Sequence, residues 1–464
     1  MTGPPLNWTH PSARLLLKDG EPVEVITKRA RRLVCQALDL GWSGPPFDPV
    51  RLADALRMEL VASDEVLDAR TVPVGASRFR IEFNPSRPLA RLRYSVAHEI
   101  AHTLFADCGA EIRHRGRHEG QRKDEWQLEA LCNVAAAELL MPLGDLPEEA
   151  ITTPRAVNFS QLRERYAVST EALLIRLARL SPTPRAAFCA SRVEDGPGLG
   201  RYRLNYLVSS SAWARPPVQE QLLPKVSIVG ECTAIGFTTS GKERWTGDEA
   251  LEIEAMGIPP YPGASYPRVA GLVQPVKGQH EKRVDLLRYV NGDATQLVEG
   301  SDPRLLVHVV NDRTANWGGA GFAQAIRSRL PQVQQDFQDW VSNTPGSLQL
   351  GRVRIVHLGE GLAVASIVAQ KGYGTSASPR IRYLALEEGL EHVAVAAVQQ
   401  RASVHMPRIG SGAGGGDWTI IEELVRQTLC ERGIKVTVYS LPGSSQPRND
   451  AQTALPLEIP GYSN

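Results

Sequence analysis

Paired cysteines and long apolar runs are both missing from this chain of 464 residues. Its six cysteines are scattered, with no CxxC pair and no regular spacing, and a chain of this length can bury a core without disulfides. No stretch approaches the roughly 18 apolar residues that a membrane span needs, and the first residues lack the apolar core of a signal peptide. We therefore expect a cytoplasmic protein with reduced thiols and no membrane association.

An excess of charge is also missing. The chain has 52 lysines and arginines against 51 aspartates and glutamates, a formal net charge of +1. This balance provides no general basic field for nucleic acid, so any site for a charged ligand must be local. Hydrophobic residues make up 42% of the chain and charged residues 22%, which excludes a mainly disordered protein.

Clusters of proline and glycine divide the chain into segments of different character. The pattern up to residue 192 is mostly helical, whereas residues 200–275 contain short apolar runs with many turn signals. From residue 285 strands alternate with helices, which indicates a largely parallel α/β sheet. The expected fold is multidomain: a mainly α domain over 1–192, a small β-rich connecting module over 193–284, an α/β domain over 285–441 and a flexible tail over 442–464.

The strongest local signal is His98-Glu99-Ile100-Ala101-His102, in a stretch without glycine or proline. On a helix, His98 and His102 are four residues apart and project from one face, so both imidazoles can bind a single Zn²⁺. Glu99 lies about 100° further round the helix. It is therefore placed to take a proton from water and pass it to a leaving amine without coordinating the metal.

A catalytic zinc site needs a third protein ligand, and a second helical run downstream offers carboxylates. Glu129 lies in the middle of that run among apolar neighbours, where an unpaired carboxylate is costly. The pattern alone equally allows a surface position for Glu129, and Glu125 and Glu138 compete with it. The intervening loop holds two further histidines, which we interpret as solvated: His114 and His118.

Three motifs occur in the first 190 or so residues: PPFDPVRLADAL, RYSVAHEIAHTLF and EALCNVAAAELLMP. In order and separation they resemble the ImmA/IrrE family of bacterial zinc metallopeptidases, which implies a zincin-like fold. The resemblance implies that Glu129 is the third zinc ligand beside His98 and His102, with Glu99 catalytic. Members of that family make single cuts in helix-turn-helix repressors of the phage or stress-response type, so the resemblance implies a repressor-like protein substrate.

The segment FSQLRERYAVSTEALLIRLARL, within residues 155–182, predicts two short helices, with Ser169 placed to cap the second. It resembles the helix-turn-helix that follows the peptidase core in this family. Four arginines would support DNA binding: Arg163, Arg165, Arg176 and Arg179. The near-neutral charge of the chain nevertheless favours a helical hairpin packed on the peptidase core over direct DNA binding.

Two glycine-rich loops follow predicted strands in the C-terminal part, over residues 317–322 and 405–416. Glycine lets the backbone approach a phosphate closely, and the helix that follows each loop offers unpaired N–H groups. Two such loops at the carboxyl ends of strands predict a clamp for a diphosphate.

Residues 285–441 resemble a macro domain, the ADP-ribose-binding α/β/α module, through NGDAT, HVVND, WGGAGFAQAI, VASIVAQKGYG, HMPRIGSGAGGGDW and VTVYSL. The resemblance implies that Asp293 accepts a hydrogen bond from the adenine amino group, that Asn311 faces the distal ribose, and that Tyr439 stacks on adenine. It assigns the diphosphate to the two loops: Gly319, Ala320, Gly321 and Phe322 in the first, and Ser411, Gly412, Ala413 and Gly414 in the second.

The nearest branch of that family contains ADP-ribosyl hydrolases whose catalytic pair is a lysine and an aspartate. Lys371 matches the lysine, but Gly414 stands where the aspartate is expected and Asp417 comes three residues later. Hydrolysis by Lys371 alone, binding without chemistry, and a surface or phosphate-side role for Lys371 are all open from the sequence.

These features together predict a zinc endopeptidase that makes site-specific cuts in a repressor-like regulatory protein. Its activity or targeting would be controlled by ADP-ribose, or by an ADP-ribosylated macromolecule, at the macro domain. The alternative is an ADP-ribose reader or ADP-ribosyl hydrolase in which the peptidase-like half is a docking module. The complete HExxH motif with Glu129 favours the first, and the missing loop aspartate weakens the hydrolase version of the second.

Overall fold

A computed structural model describes residues 8–75, 78–108, 113–114, 124–210, 212–213, 216–217, 222–245, 250–260, 265–276, 286–296, 303–317, 321–359, 361–374, 376 and 378–440. The described chain forms two compact units, one from residues 8–34 and 42–276 and the other from residues 35–41 and 286–440. Among the described helices, none has the length and hydropathy that crossing a membrane requires.

The first unit begins with the helices α1 (Pro11–Leu16), α2 (Pro22–Asp39) and α3 (Pro49–Ala55). Proline stands in the first turn of α1 and α3, where its missing N–H costs no hydrogen bond. The side chains of His10 and Asp48 accept hydrogen bonds from the backbone of those first turns and cap the two helices.

A four-stranded sheet follows that the sequence analysis did not predict. Its strands are β1 (Glu59–Ala62), β2 (Ala69–Gly75), β3 (Arg78–Phe83) and β4 (Arg113–His114), in the order β1-β3-β2-β4. β1 runs parallel to β3, whereas β2 is antiparallel to both β3 and β4. Helices still contain most of the residues in regular secondary structure in this part of the chain, as expected, but the sequence analysis missed this sheet, in which the two-residue alternation of RFRIEF forms a strand.

The zinc motif and the second helical run form α4 (Leu89–His102) and α5 (Glu125–Leu140), which pack against each other. They are followed by α6 (Glu148–Thr152), α7 (Phe159–Tyr166) and α8 (Thr170–Leu180). The two short helices predicted around residue 167 are confirmed. Ala167 ends α7 in the left-handed conformation, and the Ser169 side chain caps α8 by accepting from Ala172 N.

The predicted β-rich region forms one antiparallel sheet, with β5 (Ala186–Arg192), β6 (Tyr202–Ser209), β7 (Thr238–Glu243), β8 (Leu251–Ile258) and β9 (Arg268–Pro275). The strand order is β6-β5-β9-β8-β7. Trp213 and Trp245 are buried in its core, as expected. β5 lies upstream of the boundary predicted at residue 193, and the sheet belongs to the first unit because α8 packs against β5, β6 and β9.

The second unit contains a six-stranded sheet: β10 (Leu287–Asn291), β11 (Arg304–Asn311), β12 (Val353–Gly359), β13 (Leu362–Gln370), β14 (Ser403–Pro407) and β15 (Val436–Ser440). Its order is β10-β15-β14-β11-β13-β12, and all pairs are parallel except that of β12 with β13. The predicted, largely parallel sheet is confirmed.

Helices cover both faces of this sheet: α9 (Gly321–Arg329), α10 (Pro331–Asn343), α11 (Tyr383–Gln400) and α12 (Trp418–Thr428). One apolar core joins the sheet to α11 and α12, and a second joins it to α9 and α10. The unit therefore has the three-layer α/β/α arrangement. Residues 35–41 belong to this second unit, and within them Asp39 accepts hydrogen bonds from the backbone N–H groups of Tyr383 and Leu384 in the first turn of α11.

Candidate functional site

The two histidines of the HExxH motif lie side by side on α4 and are buried, with exposures of 0% for His98 and 1% for His102. Their ring centroids are 5.0 Å apart. From α5, Glu129 places one carboxylate oxygen 3.2 Å from His98 Nε2 and the other 3.7 Å from His102 Nε2. Two imidazole nitrogens and a carboxylate converge, which is a donor set that catalytic zinc sites use.

The other ring nitrogen of each histidine has a partner that orients the ring. His98 Nδ1 lies 3.0 Å from Asn133 Oδ1, and the Tyr94 hydroxyl donates to the same oxygen over 3.0 Å. Because an amide oxygen only accepts, Nδ1 of His98 is the donor in this contact, which leaves Nε2 as the ring atom that faces a metal ion. On the other histidine, His102 Nδ1 lies 3.3 Å from Cys132 Sγ.

Cys132 and the two histidines also have their ligand atoms within 4.8 Å of one another, so the thiol is a second candidate for the third ligand. Its sulfur, however, faces Nδ1 of His102, on the opposite side of the ring from Nε2. The carboxylate oxygens of Glu129 face the Nε2 atoms of both histidines. An ion held by both Nε2 atoms is therefore completed by Glu129, while Cys132 orients His102.

Glu99, the candidate base, is fully buried beside His98 on α4. The Thr71 hydroxyl on β2 lies 2.7 Å from Glu99 Oε2 and 3.0 Å from the Glu99 backbone oxygen. The shorter contact orients the carboxylate from the sheet side of the helix. Sequence reasoning missed Thr71 because it missed β2.

The competing carboxylates on α5 belong to other contacts. Glu138 accepts a hydrogen bond from Arg176 Nη2 over 2.6 Å and lies 3.4 Å from Arg31 Nε. Glu125 lies 3.4 Å from His10 Nε2. Neither is brought to the histidine pair. Two of the sequence candidates cannot be placed, since His118 and the side chain of His114 lie outside the described residues.

The helical hairpin of α7 and α8 packs on the protein's own core, in agreement with the interpretation that disfavoured DNA binding. Arg176 is 4% exposed and is bound to Glu138, and burial lowers the pKa of Arg179. The other two arginines lie near acidic side chains: Arg163 is 3.6 Å from Glu164, and Arg165 is 3.5 Å from Asp145.

In the second unit, the second glycine-rich loop joins β14 to α12. A Cβ built on Gly414 would lie only 2.5 Å from the backbone oxygen of Gly410, so the loop has no room for a side chain where the hydrolase aspartate is expected. Asp417 does not replace that aspartate in the loop. Its carboxylate accepts from Thr419 N over 2.9 Å and caps α12.

Of the first loop, the structure describes Trp317, which is buried, and Gly321 and Phe322, which begin α9; Gly319 and Ala320 lie outside the described residues. Asn311, at the end of β11, is 8% exposed. Its amide oxygen accepts from the backbone N–H groups of Arg313 and Thr314 over 2.9 and 3.0 Å. The amide nitrogen is therefore the group that can donate to a ligand hydroxyl.

Asp293 and Tyr439, the residues predicted to bind adenine, lie in the same region, since a Cβ on Gly292 would be 3.8 Å from the Tyr439 ring. Asp293 Oδ1 accepts from Thr295 N over 2.8 Å, and its Oδ2 lies 3.0 Å from Arg329 Nη1. Tyr439 is 7% exposed within the core, so its ring does not present an open stacking face. Its stacking role stays a prediction.

Two buried histidines lie on strands of this sheet, His308 on β11 and His405 on β14. Burial lowers the pKa of His308 to about 3, and burial together with the nearby charges of Arg288 and Arg304 lowers the pKa of His405 to about 4. His405 Nδ1 lies 3.1 Å from the hydroxyl of Tyr439. Both histidines are therefore neutral at pH 7.

Sequence reasoning also missed an exposed aromatic group at the carboxyl ends of β10 and β14. Tyr289 is 44% exposed, and its hydroxyl accepts from Trp418 Nε1 over 3.0 Å. The Arg408 guanidinium lies 5.6 Å from the Tyr289 ring centre and 5.7 Å from that of Trp418. Arg408 and Trp418 both lie in the motif HMPRIGSGAGGGDW, but Tyr289 is 129 residues from Trp418, so no local motif could have joined it to them.

Residues 58–178 match the family described as the IrrE N-terminal-like domain. The radiation response metalloprotease IrrE of Deinococcus deserti is 38% identical over 130 residues, which are 26% of this chain and 45% of that protein. The chromodomain-helicase-DNA-binding protein 1-like of Mus musculus is 33% identical over 181 residues, which are 36% of this chain and 20% of that protein. The chain thus spans less than half the length of either relative.

Among solved structures, a macrodomain protein from Streptomyces coelicolor is 35% identical and covers 33% of this chain and 98% of its own, with a TM-score of 0.29. The macrodomain of Thermus aquaticus DarG is 24% identical with a TM-score of 0.28, covering 33% of this chain and 97% of its own. The chain therefore combines an IrrE-like region with a region similar to macrodomain proteins.

Proposed function

We propose that this protein is a zinc-dependent endopeptidase that makes site-specific cuts in a repressor-like regulatory protein. We further propose that ADP-ribose, or an ADP-ribosylated species, binds the second unit and controls or targets that activity. The observation that supports the proposed peptidase activity most directly is that His98 Nε2 and His102 Nε2 both face the Glu129 carboxylate. Similarity to a radiation response metalloprotease supports the same reaction class.

The residues of the site fit a zinc ion, because they combine two buried imidazoles with one partly exposed carboxylate that faces both of them. The chemistry that zinc supplies in such a site is polarisation of the scissile carbonyl and acidification of water. Glu99 accepts the proton from the attacking water and returns it to the leaving amine. Thr71 holds the Glu99 carboxylate, while Asn133 and Cys132 keep the histidine rings oriented.

The repressor-like substrate is supported by the resemblance to the ImmA/IrrE family rather than by a feature of the cleft. ADP-ribose binding is supported by the two glycine-rich loops, the buried Asn311 and the macrodomain motifs. Within that proposal, binding without two-residue hydrolysis is favoured, because Gly414 has no room for the aspartate and Asp417 caps α12.

The test is incubation of the zinc-loaded full chain with purified helix-turn-helix repressors from the same organism, followed by mass spectrometry of new N-termini. We expect one cut with the wild type and none with Glu99→Gln, which loses the base but keeps all three ligands. Cleavage at the same bond by both proteins would rule out the proposed role of Glu99. An intact repressor with both would rule out the substrate.

A further inference from the structure

An ion pair joins the end of α9 to the short segment that follows β10. Arg329, the last residue of α9, places Nη1 3.0 Å from Asp293 Oδ2. The same nitrogen donates to Thr295 Oγ1 over 2.8 Å. Asp293 is the residue predicted to accept a hydrogen bond from the adenine amino group, whereas the sequence analysis did not single out Arg329. One cation therefore holds two side chains of the segment that is predicted to recognise the base.

The backbone on both sides of Asp293 is fixed by the sheet and by the core. Gly292 N donates to Ser440 O over 2.9 Å, which continues the pairing of β10 with β15. Ala294 is 2% exposed and belongs to the apolar core that joins the sheet to α9 and α10. The variable that remains is therefore the direction of the Asp293 carboxylate.

The two oxygens of the Asp293 carboxylate have different partners. Oδ1 accepts from the backbone N–H and from the hydroxyl of Thr295, over 2.8 and 2.7 Å, and closes a turn. Oδ2 faces Arg329, and the Asp293 side chain is 24% exposed. Because a carboxylate oxygen can accept more than one hydrogen bond, Oδ2 is the atom that can accept from a ligand while Arg329 holds it.

A third side chain of the segment also faces Arg329. A guanidinium only donates, so the amide of Gln296 turns its oxygen toward Arg329 and accepts from Nη1 over 2.8 Å. Within the described part of the chain, Asp293 and Arg329 are each other's only ion-pair partners. The negative charge of Asp293 is thus matched by one cation, whose other contacts to the segment are to neutral groups.

The helix α9 links this ion pair to the first glycine-rich loop. It begins at Gly321 and Phe322, the last residues of that loop, and ends at Arg329. Its nine residues make it about 13 Å long. Ile326 is fully buried and fixes the helix in the same core as Ala294. The helix therefore holds Arg329 at a constant distance from the loop that is predicted to bind the diphosphate.

The chemistry of the pair suits one class of purine. An ionised carboxylate oxygen only accepts hydrogen bonds. The exocyclic amino group of adenine donates, whereas hypoxanthine and guanine carry a carbonyl oxygen at the same ring position. A carboxylate oxygen held toward that position therefore attracts adenine and repels a 6-oxo purine, which is how a site gains specificity.

We propose that Arg329 makes the second unit select adenine, because it aims Oδ2 of Asp293 at the adenine amino group. Arg329 is in this sense a positioning residue that acts through Asp293. The inference rests on the proposed ADP-ribose binding and adds the residue that sets the base specificity of that site.

The experiment is calorimetry of the full chain with two probes, ADP-ribose and inosine diphosphate ribose, in which a carbonyl replaces the amino group of the base. We expect the wild type to bind ADP-ribose at least about tenfold tighter. Arg329→Met should weaken ADP-ribose about tenfold and inosine diphosphate ribose less than about twofold, so that the preference disappears. Arg329→Lys keeps a positive charge and a donor and should retain a preference of about threefold or more.

Two further variants separate positioning from a general loss of structure. Arg354→Met removes the arginine of another ion pair in the same unit, whose Nε and Nη2 donate to Asp336 over 2.6 and 2.9 Å, and should leave both affinities unchanged. In an Asp293→Ala background, Arg329→Met should have no further effect on the preference, because it acts through the carboxylate. The urea midpoint of Arg329→Met should stay close to that of the wild type, since the pair is partly exposed.

Equal losses for the two probes in Arg329→Met would overturn the inference, because the arginine would then only support the segment. Tighter binding of ADP-ribose by Arg329→Met would also overturn it, since the arginine would then compete with adenine for Oδ2. A wild type that binds both probes equally would do the same while leaving ADP-ribose binding intact. Failure of the wild type to bind ADP-ribose at all would instead overturn the proposed function of the second unit, so the two failures are distinguishable.

Discussion

Each histidine of the candidate metal centre makes one contact on each side of its ring. The Nε2 atoms face Glu129, and the Nδ1 atoms face Asn133 and Cys132. In metal sites such outer contacts fix the tautomer and the ring orientation. Substitutions can therefore test whether Glu129 binds the metal and whether Cys132 only orients the ring of His102.

Glu129→Ala should remove most of the zinc from the purified full chain, because it deletes the only carboxylate that faces both Nε2 atoms among the described residues. Glu125→Ala, one turn earlier on α5, is the matched control and should keep about one equivalent. Cys132→Ser should also keep the metal, since serine preserves a hydrogen-bonding atom beside His102 Nδ1. Elemental analysis decides, and zinc lost from Cys132→Ser but retained in Glu129→Ala would reverse the assignment.

At the scale of elements, the sequence predicts the second unit far better than the first. Long apolar strands such as β11 and β13 alternate with helices, and their pattern is unambiguous because both faces of the sheet are covered. The strands β1 to β3 are short and only partly apolar, and all three are missed. Thr71 is missed with them, although the HExxH motif beside it is plain.

A pocket that Arg313, Lys371, Arg380 and Arg382 help to line shows the same limit. Arg313 follows β11, whereas Arg380 and Arg382 precede α11, and only the folded sheet brings these residues together. The identity of the third zinc ligand likewise depends on the folded structure. Helical spacing leaves Glu125, Glu129 and Glu138 in competition, and the packing of α5 on α4 decides among them.

The second glycine-rich loop permits a prediction of its own. Gly414→Ala should destabilise the chain by about 1–3 kcal/mol, because the new Cβ would lie 2.5 Å from a backbone oxygen that cannot easily move. It should also weaken ADP-ribose binding, since the loop must shift. Gly412→Ala, where a Cβ meets open space, is the control. Urea unfolding and calorimetry measure both effects, and equal behaviour of the two variants would refute the tight packing of Gly414.

At the scale of the whole molecule, the stability should depend on pH through the second unit. Burial lowers the pKa values of His308 and His405 to about 3 and about 4, below the ordinary value near 6.5. Between its folded and unfolded pKa values each histidine is protonated only in the unfolded chain. The stabilisation is therefore complete above about pH 6.5 and is lost as the pH falls to about 4 for His405 and to about 3 for His308. Each histidine adds a slope of up to about 1.4 kcal/mol per pH unit.

Urea unfolding of the full chain at pH 7 and pH 5 measures this dependence. The difference in unfolding free energy between the two pH values should be smaller for His405→Gln, which cannot titrate, than for the wild type. An unchanged difference would mean that His405 is not held neutral by the fold.

The proposed peptidase activity and the proposed ADP-ribose binding lie in one chain, so coupling between them can be tested. If ADP-ribose favours an active state, cleavage of the repressor should rise by roughly 5- to 150-fold when it is added. Gly412→Glu places a carboxylate in the predicted diphosphate loop, where the Cβ side is open, and should abolish that response without disturbing the fold. Cleavage rates that are identical with and without ADP-ribose would exclude free ADP-ribose as the switch and favour a targeting role.

The central claim is that one zinc ion, held by His98, His102 and Glu129, enables the cut that Glu99 carries out. The most direct measurement is the rate of repressor cleavage as zinc is returned stepwise to the metal-free full chain. The account predicts no cleavage without zinc, a rise up to about one equivalent and a plateau beyond it, with Glu99→Gln binding the same amount of zinc and remaining inactive. Undiminished cleavage by the metal-free chain would contradict it.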